Sequence, residues 1–289
     1  MIILSLILAH LVADFYFQTE NMVREKKRFL KLHLMHHSLL VFLALTVIYL
    51  GQNDSNFYLQ VITPTLLLVL LHYFIDDLKI LLQEKVRFTK QKNGWNLGLF
   101  LADQLLHIFT ILIVCYYFFD VNLNELLEFI LVSLNIQDGP IQQLSLLNST
   151  LFIIIMFIII TSVTGHIIKI MLGSLTNHLS LFEGKYTLKD LAVSPSSQKH
   201  MSEEYTYMVM KHQDLSRGKI IGYLERLLVV ALILMGSFSA VGFIVAAKSL
   251  TRFKQMDDRD WAEYFLLGTL TSFLFAIVYG VILKVIFFS

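Results

Sequence analysis

Residues Leu97 to Phe119 read LGLFLADQLLHIFTILIVCYYFF, a run whose only charged side chain is Asp103. A helix needs roughly 20 mostly apolar residues to cross the hydrocarbon of a bilayer, and this run is apolar on every face rather than along one stripe. Six more windows of the same kind occur, at approximately 1 to 19, 33 to 51, 58 to 83, 146 to 172, 221 to 247 and 263 to 288. The pattern predicts an all-α, polytopic transmembrane helical bundle of about seven spans. Composition agrees: of 289 residues, 56% are hydrophobic and 16% charged, against about 25% charged in soluble domains, and the mean hydropathy is +0.67. A net charge of +1 argues against nucleic acid as a partner, because phosphate neutralisation needs a concentrated basic surface. The single cysteine, Cys115, lies in an apolar run, so a disulfide or thiolate metal framework within the chain is excluded. The start, Met1-Ile-Ile-Leu, lacks the basic region and cleavage site of a signal peptide, and the first window is expected to persist as a helix.

Charge in the connecting segments predicts orientation. Arg24, Lys26, Lys27, Arg28 and Lys31 lie between windows one and two, and Lys85, Arg87, Lys90 and Lys92 between three and four. The alternate loops, 51 to 57 and 120 to 145, contain no Lys or Arg. By the positive-inside rule the basic loops face the cytoplasm and the N-terminus is outside. The chain then divides into a four-helix membrane domain (1–120), an amphipathic interfacial helix and fifth span (121–172), a cytoplasmic polar segment (173–220) and a two-span C-terminal region (221–289). The sixth window poses a conflict. A single crossing, the preferred reading, leaves Lys248, Arg252, Lys254 and Arg259 outside, whereas a hairpin broken at Gly236-Ser-Phe-Ser returns them to the cytoplasm.

Polar side chains recur inside the first four windows at four-residue spacing, which offsets them by only about 40° on a helix. His10, Asp14 and Gln18 form one stripe, His33 and His37 a second, His72, Asp76 and Lys79 a third, Asp103 and His107 a fourth. Alternating up and down helices bring these pairs to one level, with His166, Lys169, Glu225 and Arg226 at the same depth. An ionisable group at mid-bilayer costs about 2.5 to 3.5 kcal/mol, so groups that face one another share hydrogen bonds, protons or a metal ion. Imidazole with carboxylate suits a divalent cation, zinc or manganese foremost. The candidate ligands are His10, Asp14, His33, His37, His72, Asp76, Asp103 and His107. Asp14, Asp76 and Asp103 are the candidate catalytic carboxylates, and Gln18 and Lys79 the candidate substrate contacts.

The segments His10-Leu-Val-Ala-Asp-Phe-Tyr-Phe-Gln18, His72-Tyr-Phe-Ile-Asp-Asp-Leu-Lys79 and Asp103-Gln-Leu-Leu-His107 resemble the bacterial membrane family called domain of unknown function 3307, over roughly the first 120 residues. Longer members look similar around Gly218 to Arg226, Lys248 and Glu263 to Ser272. The resemblance implies a multi-pass protein of the bacterial cytoplasmic membrane and no established activity. A looser likeness in residue types is to membrane-bound metal-dependent hydrolases. The leading expectation is therefore a metal-dependent hydrolase acting near the cytoplasmic face on a lipid-linked or membrane-proximal substrate, with the bilayer itself as a partner. A proton- or cation-coupled transporter or channel, or a scaffold binding a soluble partner through 173–219, are the alternatives. The transporter reading requires polar groups continuing toward the outer face.

Overall fold

The computed structural model describes residues 1–51, 56–86, 92–139, 143–173, 185–191, 202–208, 214–251 and 259–288. His178, His200, His212 and the basic Arg252 and Lys254 lie outside them. The first window forms α1 (Ile2–Val12), which widens into a π turn over Ala13–Phe17 and stops at Gln18, an extended residue. A short α2 (Glu20–Arg24) follows, with Thr19 Oγ1 accepting from the Met22 N–H. Three long helices come next: α3 (Lys26–Leu50), α4 (Thr63–Val86) entered through a π turn at Tyr58–Ile62, and α5 (Lys92–Phe119). The amphipathic α6 (Leu123–Ser133) occupies the segment expected to lie at an interface; Asn122 caps its start. The fifth window is α7 (Leu146–Ile158), a π turn (Ile159–Val163) and α8 (Thr164–Met171). The polar segment contributes an antiparallel ribbon, β1 (Lys185–Leu191) on β2 (Ser202–Met208), paired from Lys185↔Met208 to Leu191↔Ser202. The helices α9 (Asp214–Leu234), α10 (Phe238–Thr251) and α11 (Arg259–Phe288) complete the chain.

Five helices are long and apolar enough to cross a membrane, at 26–50, 58–85, 94–119, 146–171 and 262–288, and Ile2–Phe17 and Phe238–Thr251 are shorter apolar helices. Their outward faces are apolar too: Leu43, Val47, Phe74, Leu105, Phe109 and Leu274 are all exposed. A water-soluble surface does not carry so continuous an apolar cover.

The sixth window departs from the single crossing. Gly236, at φ 74°, ends α9, with the Ser237 N–H donating to the Leu232 carbonyl at 2.8 Å and the Gly236 N–H to the Ile233 carbonyl at 3.0 Å. That is the Schellman pattern, which needs the left-handed conformation glycine adopts without strain. The chain then turns back, because Lys248 Nζ on α10 lies 2.6 Å from Glu225 Oε2 on α9. In one continuous helix these residues would stand about 34 Å apart. The window is a hairpin, and Lys248 returns to the level of Glu225, in the middle of α9.

Two apolar cores result. Met156, Ile160, Val229, Ile233, Phe273 and Ala276 fill the C-terminal one, where Gly280 lets α11 approach α9 so closely that an added Cβ would stand 2.9 Å from Ile233 Cδ1. Leu6, Val41, Leu45, Val61, Leu68 and Val114 fill one end of the α1, α3, α4, α5 bundle, with Cys115 packed among them. Leu11, Ile155 and Ile158 form the seam between α1 and α7.

Candidate metal centre

Each helix of the N-terminal bundle changes character one turn at a time. On α1 and its π turn the inward sequence is Leu6, His10, then half-buried Asp14; on α3, in reverse chain direction, Val41, His37, His33; on α4, Leu68, His72, Asp76; on α5, in reverse, Ile111, His107, Asp103. Four-residue steps keep each series on one helix face, and the antiparallel packing puts equal steps side by side. The result is an apolar layer, then an imidazole layer of His10, His37, His72 and His107, then a layer of Asp14, His33, Asp76 and Asp103.

The imidazole layer is compact. Ring centroids are 3.8 Å apart for His37 and His72, 4.1 Å for His72 and His107, 4.8 Å for His10 and His107 and 5.3 Å for His10 and His37. Between it and the apolar layer lies a cavity of about 20 Å³ lined by these four rings and by Leu6 and Leu68, which is room for one water-sized occupant.

In the layer below, Asp14 Oδ1 accepts from His37 Nε2 at 3.0 Å and lies 3.4 Å from His33 Nε2. His33 Nε2 is 3.2 Å from His72 Nε2 and 3.5 Å from Asp76 Oδ2, and His72 Nε2 is also 3.5 Å from Asp76 Oδ2. Two lysines close the layer: Lys26 Nζ donates to Asp76 Oδ1 at 2.5 Å and Lys79 Nζ to Asp103 Oδ2 at 2.6 Å. Gln104 donates to Asp14 Oδ2 at 2.9 Å and to Asp103 Oδ2 at 3.2 Å, tying the two carboxylates together.

Three properties of this arrangement fit a cation. First, three carboxylates face two ammonium groups, and Asp14 is the one paired with imidazoles, those of His10, His33 and His37, rather than with a lysine. Second, His107 Nδ1 donates to the Asp103 backbone carbonyl at 2.8 Å, so its Nε2 carries the lone pair, the tautomer a metal ligand needs. That Nε2 is buried without a hydrogen-bond partner among the described residues, as are His10 Nε2, Asp76 Oδ2 and Asp103 Oδ1. Third, ligand atoms of a tetrahedral zinc site stand about 3.4 Å apart, and three separations within the Asp14, His33, His37 and His72 group are 3.0, 3.2 and 3.4 Å. Asp14, His33, His37 and His72 each offer an atom within 4.8 Å of the others, and His72, Asp76 and His107 form a second such group.

Of the eight residues expected as ligands, Asp14, His33, His37, His72, Asp76 and His107 fall in these two groups, while His10 and Asp103 lie beside them and in neither. Lys79 joins them, pointing inward at Asp103. Gln18 does not: it ends the first helix, and its side chain makes no hydrogen bond among the described residues. Gln104 takes the hydrogen-bonding place, and Lys26, whose place in the sequence signals only topology, is a second participant. His36 stays beside the layer, its ring 5.5 Å from that of Phe17, and His166 packs on Phe100 at 4.8 Å. Glu225 and Arg226 separate: Glu225 pairs with Lys248, while Arg226 is buried and donates to the carbonyls of Ile160 and Thr161 at 2.6 and 3.0 Å and to Ser272 Oγ at 3.2 Å. Those carbonyls belong to the π turn, whose altered bonding frees acceptors.

No curated protein and no solved structure matches the chain. A family model, Protein of unknown function (DUF3307), matches residues 2–136, a little under half of the chain, and that segment, to which the chain is similar, holds every side chain of the three layers and both lysines.

Proposed function

We propose that the chain is a multi-pass protein of the cytoplasmic membrane, N-terminus outside, in which the His and Asp layers hold a divalent cation, zinc or manganese, and serve hydrolysis of a substrate reached from the inner face. The observation that carries the reading is the convergence of Asp14, His33, His37 and His72 within one coordination-sized cluster. A divalent cation held there supplies Lewis acidity and lowers the pKa of a bound water to about 7. Asp14, His33, His37 and His72 would hold it, His37 through a nitrogen freed of the proton that it gives to Asp14. Gln104 and Lys79 fix the Asp103 carboxylate, which orients the layer and accepts a proton at Oδ1, the oxygen without a hydrogen bond among the described residues, 3.9 Å from His107 Nδ1. The apolar layer excludes water from the opposite side.

That apolar layer also weighs against the transporter reading. Leu6, Leu45, Val61 and Val114 are at most 1% exposed and continue the bundle beyond the imidazoles, where the hydroxyls of Thr65 and Thr110 are turned to the backbone carbonyls of Val61 and His107. Elemental analysis of the purified protein beside His72→Ala and Asp103→Ala tests the centre. The expected result is stoichiometric zinc or manganese in the wild-type chain and background metal in His72→Ala. Background metal in all three chains overturns the reading.

A further inference from the structure

Beyond Lys26 the four-helix bundle opens into a second, shallow concavity, of about 390 Å³, between the α2–α3 turn and the last turns of α4. Four of the five residues from Arg24 to Arg28 are cations, and Ile80, Gln83 and Glu84 face them. Their partners differ. Arg28 pairs with Glu25 at 2.9 Å on the exposed rim, where such pairs contribute little. Lys26 reaches inward to Asp76 and forms the floor. Arg24 and Lys27 are exposed and have no carboxylate partner among the described residues. The first turn of α3 contains no acidic residue, and the Glu25 side chain does not cap it, so cations are gathered at the end of a helix that favours anions.

We infer that this concavity binds a phosphomonoester, its oxygens on Arg24 and Lys27, with Lys26 linking it to Asp76 of the buried layer. The inference rests on the hydrolase reading and names its substrate class. A guanidinium and an ammonium that line one concavity match the charge and several oxygens of a phosphomonoester, whereas a zwitterionic headgroup leaves that charge unneutralised. The ester is carried either by a lipid or by a soluble molecule. The position of the concavity at the end of the bundle where the basic segments gather admits both.

The test uses the full-length protein in phosphatidylcholine nanodiscs. Binding of lysophosphatidic acid and of glycerol 3-phosphate is measured for the wild type and for the Arg24→Gln, Lys27→Gln double variant, with metal content determined on the same samples. Both positions are exposed, so folding is not at stake. The wild type should bind lysophosphatidic acid in preference to lysophosphatidylcholine, and the double variant should bind it at least about tenfold more weakly with metal content unchanged. Displacement by glycerol 3-phosphate assigns the site to a soluble ester, and failure to displace assigns it to a lipid; both support the inference. Equal affinity in wild type and double variant overturns it, as does no preference over lysophosphatidylcholine. Background metal together with intact, Arg24- and Lys27-dependent binding contradicts the metal reading alone.

Discussion

Lys79 and Asp103 meet at 2.6 Å with 14% and 3% of their side chains exposed, so neither charge has water as an alternative partner. Breaking such a pair from one side costs about 3 to 5 kcal/mol, while replacing both members with apolar residues is far milder. Lys79→Met should therefore lower the melting temperature of the purified protein sharply, and adding Asp103→Leu should restore much of it. A Lys79→Met chain as stable as wild type would mean that the pair does not form. The pairs at four-residue spacing are legible in the sequence, because helical periodicity alone puts His10 with Asp14 and His72 with Asp76 on one face. Gln104 and Lys26 are not. Gln104 lies one residue from Asp103, about 100° around the helix, and reaches Asp14 only because α1 and α5 pack in one particular register. Lys26 sits among exposed basic residues of the same chemistry; only the entry angle of α3 turns it inward.

Helix geometry is legible in the same uneven way. Apolar length locates the spans, and Gly236-Ser marks the break in the sixth window. Choosing between a bend and a full return requires the Glu225 to Lys248 contact. The three π turns have no sequence signature in this chain, yet one contains Asp14 and another supplies the carbonyls that hold Arg226. The hairpin makes a direct prediction, since Cys115 is buried and introduced cysteines can be read against it. Thr251→Cys should react with a membrane-impermeant maleimide from the same side as Glu25→Cys and from the side opposite to Asn56→Cys. Thr251→Cys labelling together with Asn56→Cys would restore the single crossing.

At the scale of the molecule, the N-terminal bundle is graded along its axis: apolar, then imidazole, then carboxylate, then lysine and the basic concavity. The C-terminal helices pack against this bundle through α7 and α8 and carry a separate apolar core, and their buried cation, Arg226, is held by backbone carbonyls rather than by the graded layers. The gradient places the charge-bearing end where the basic segments gather and leaves the other end sealed, an arrangement suited to chemistry entered from one face. Its centre is the claim on which the rest depends. X-ray absorption at the zinc and manganese edges of the purified protein tests it most directly. The account predicts one edge with a first shell of nitrogen and oxygen scatterers at about 2.0 to 2.2 Å, lost in a His33→Ala, His37→Ala chain. No edge above background in the wild-type protein, or a shell unchanged in that variant, would contradict it.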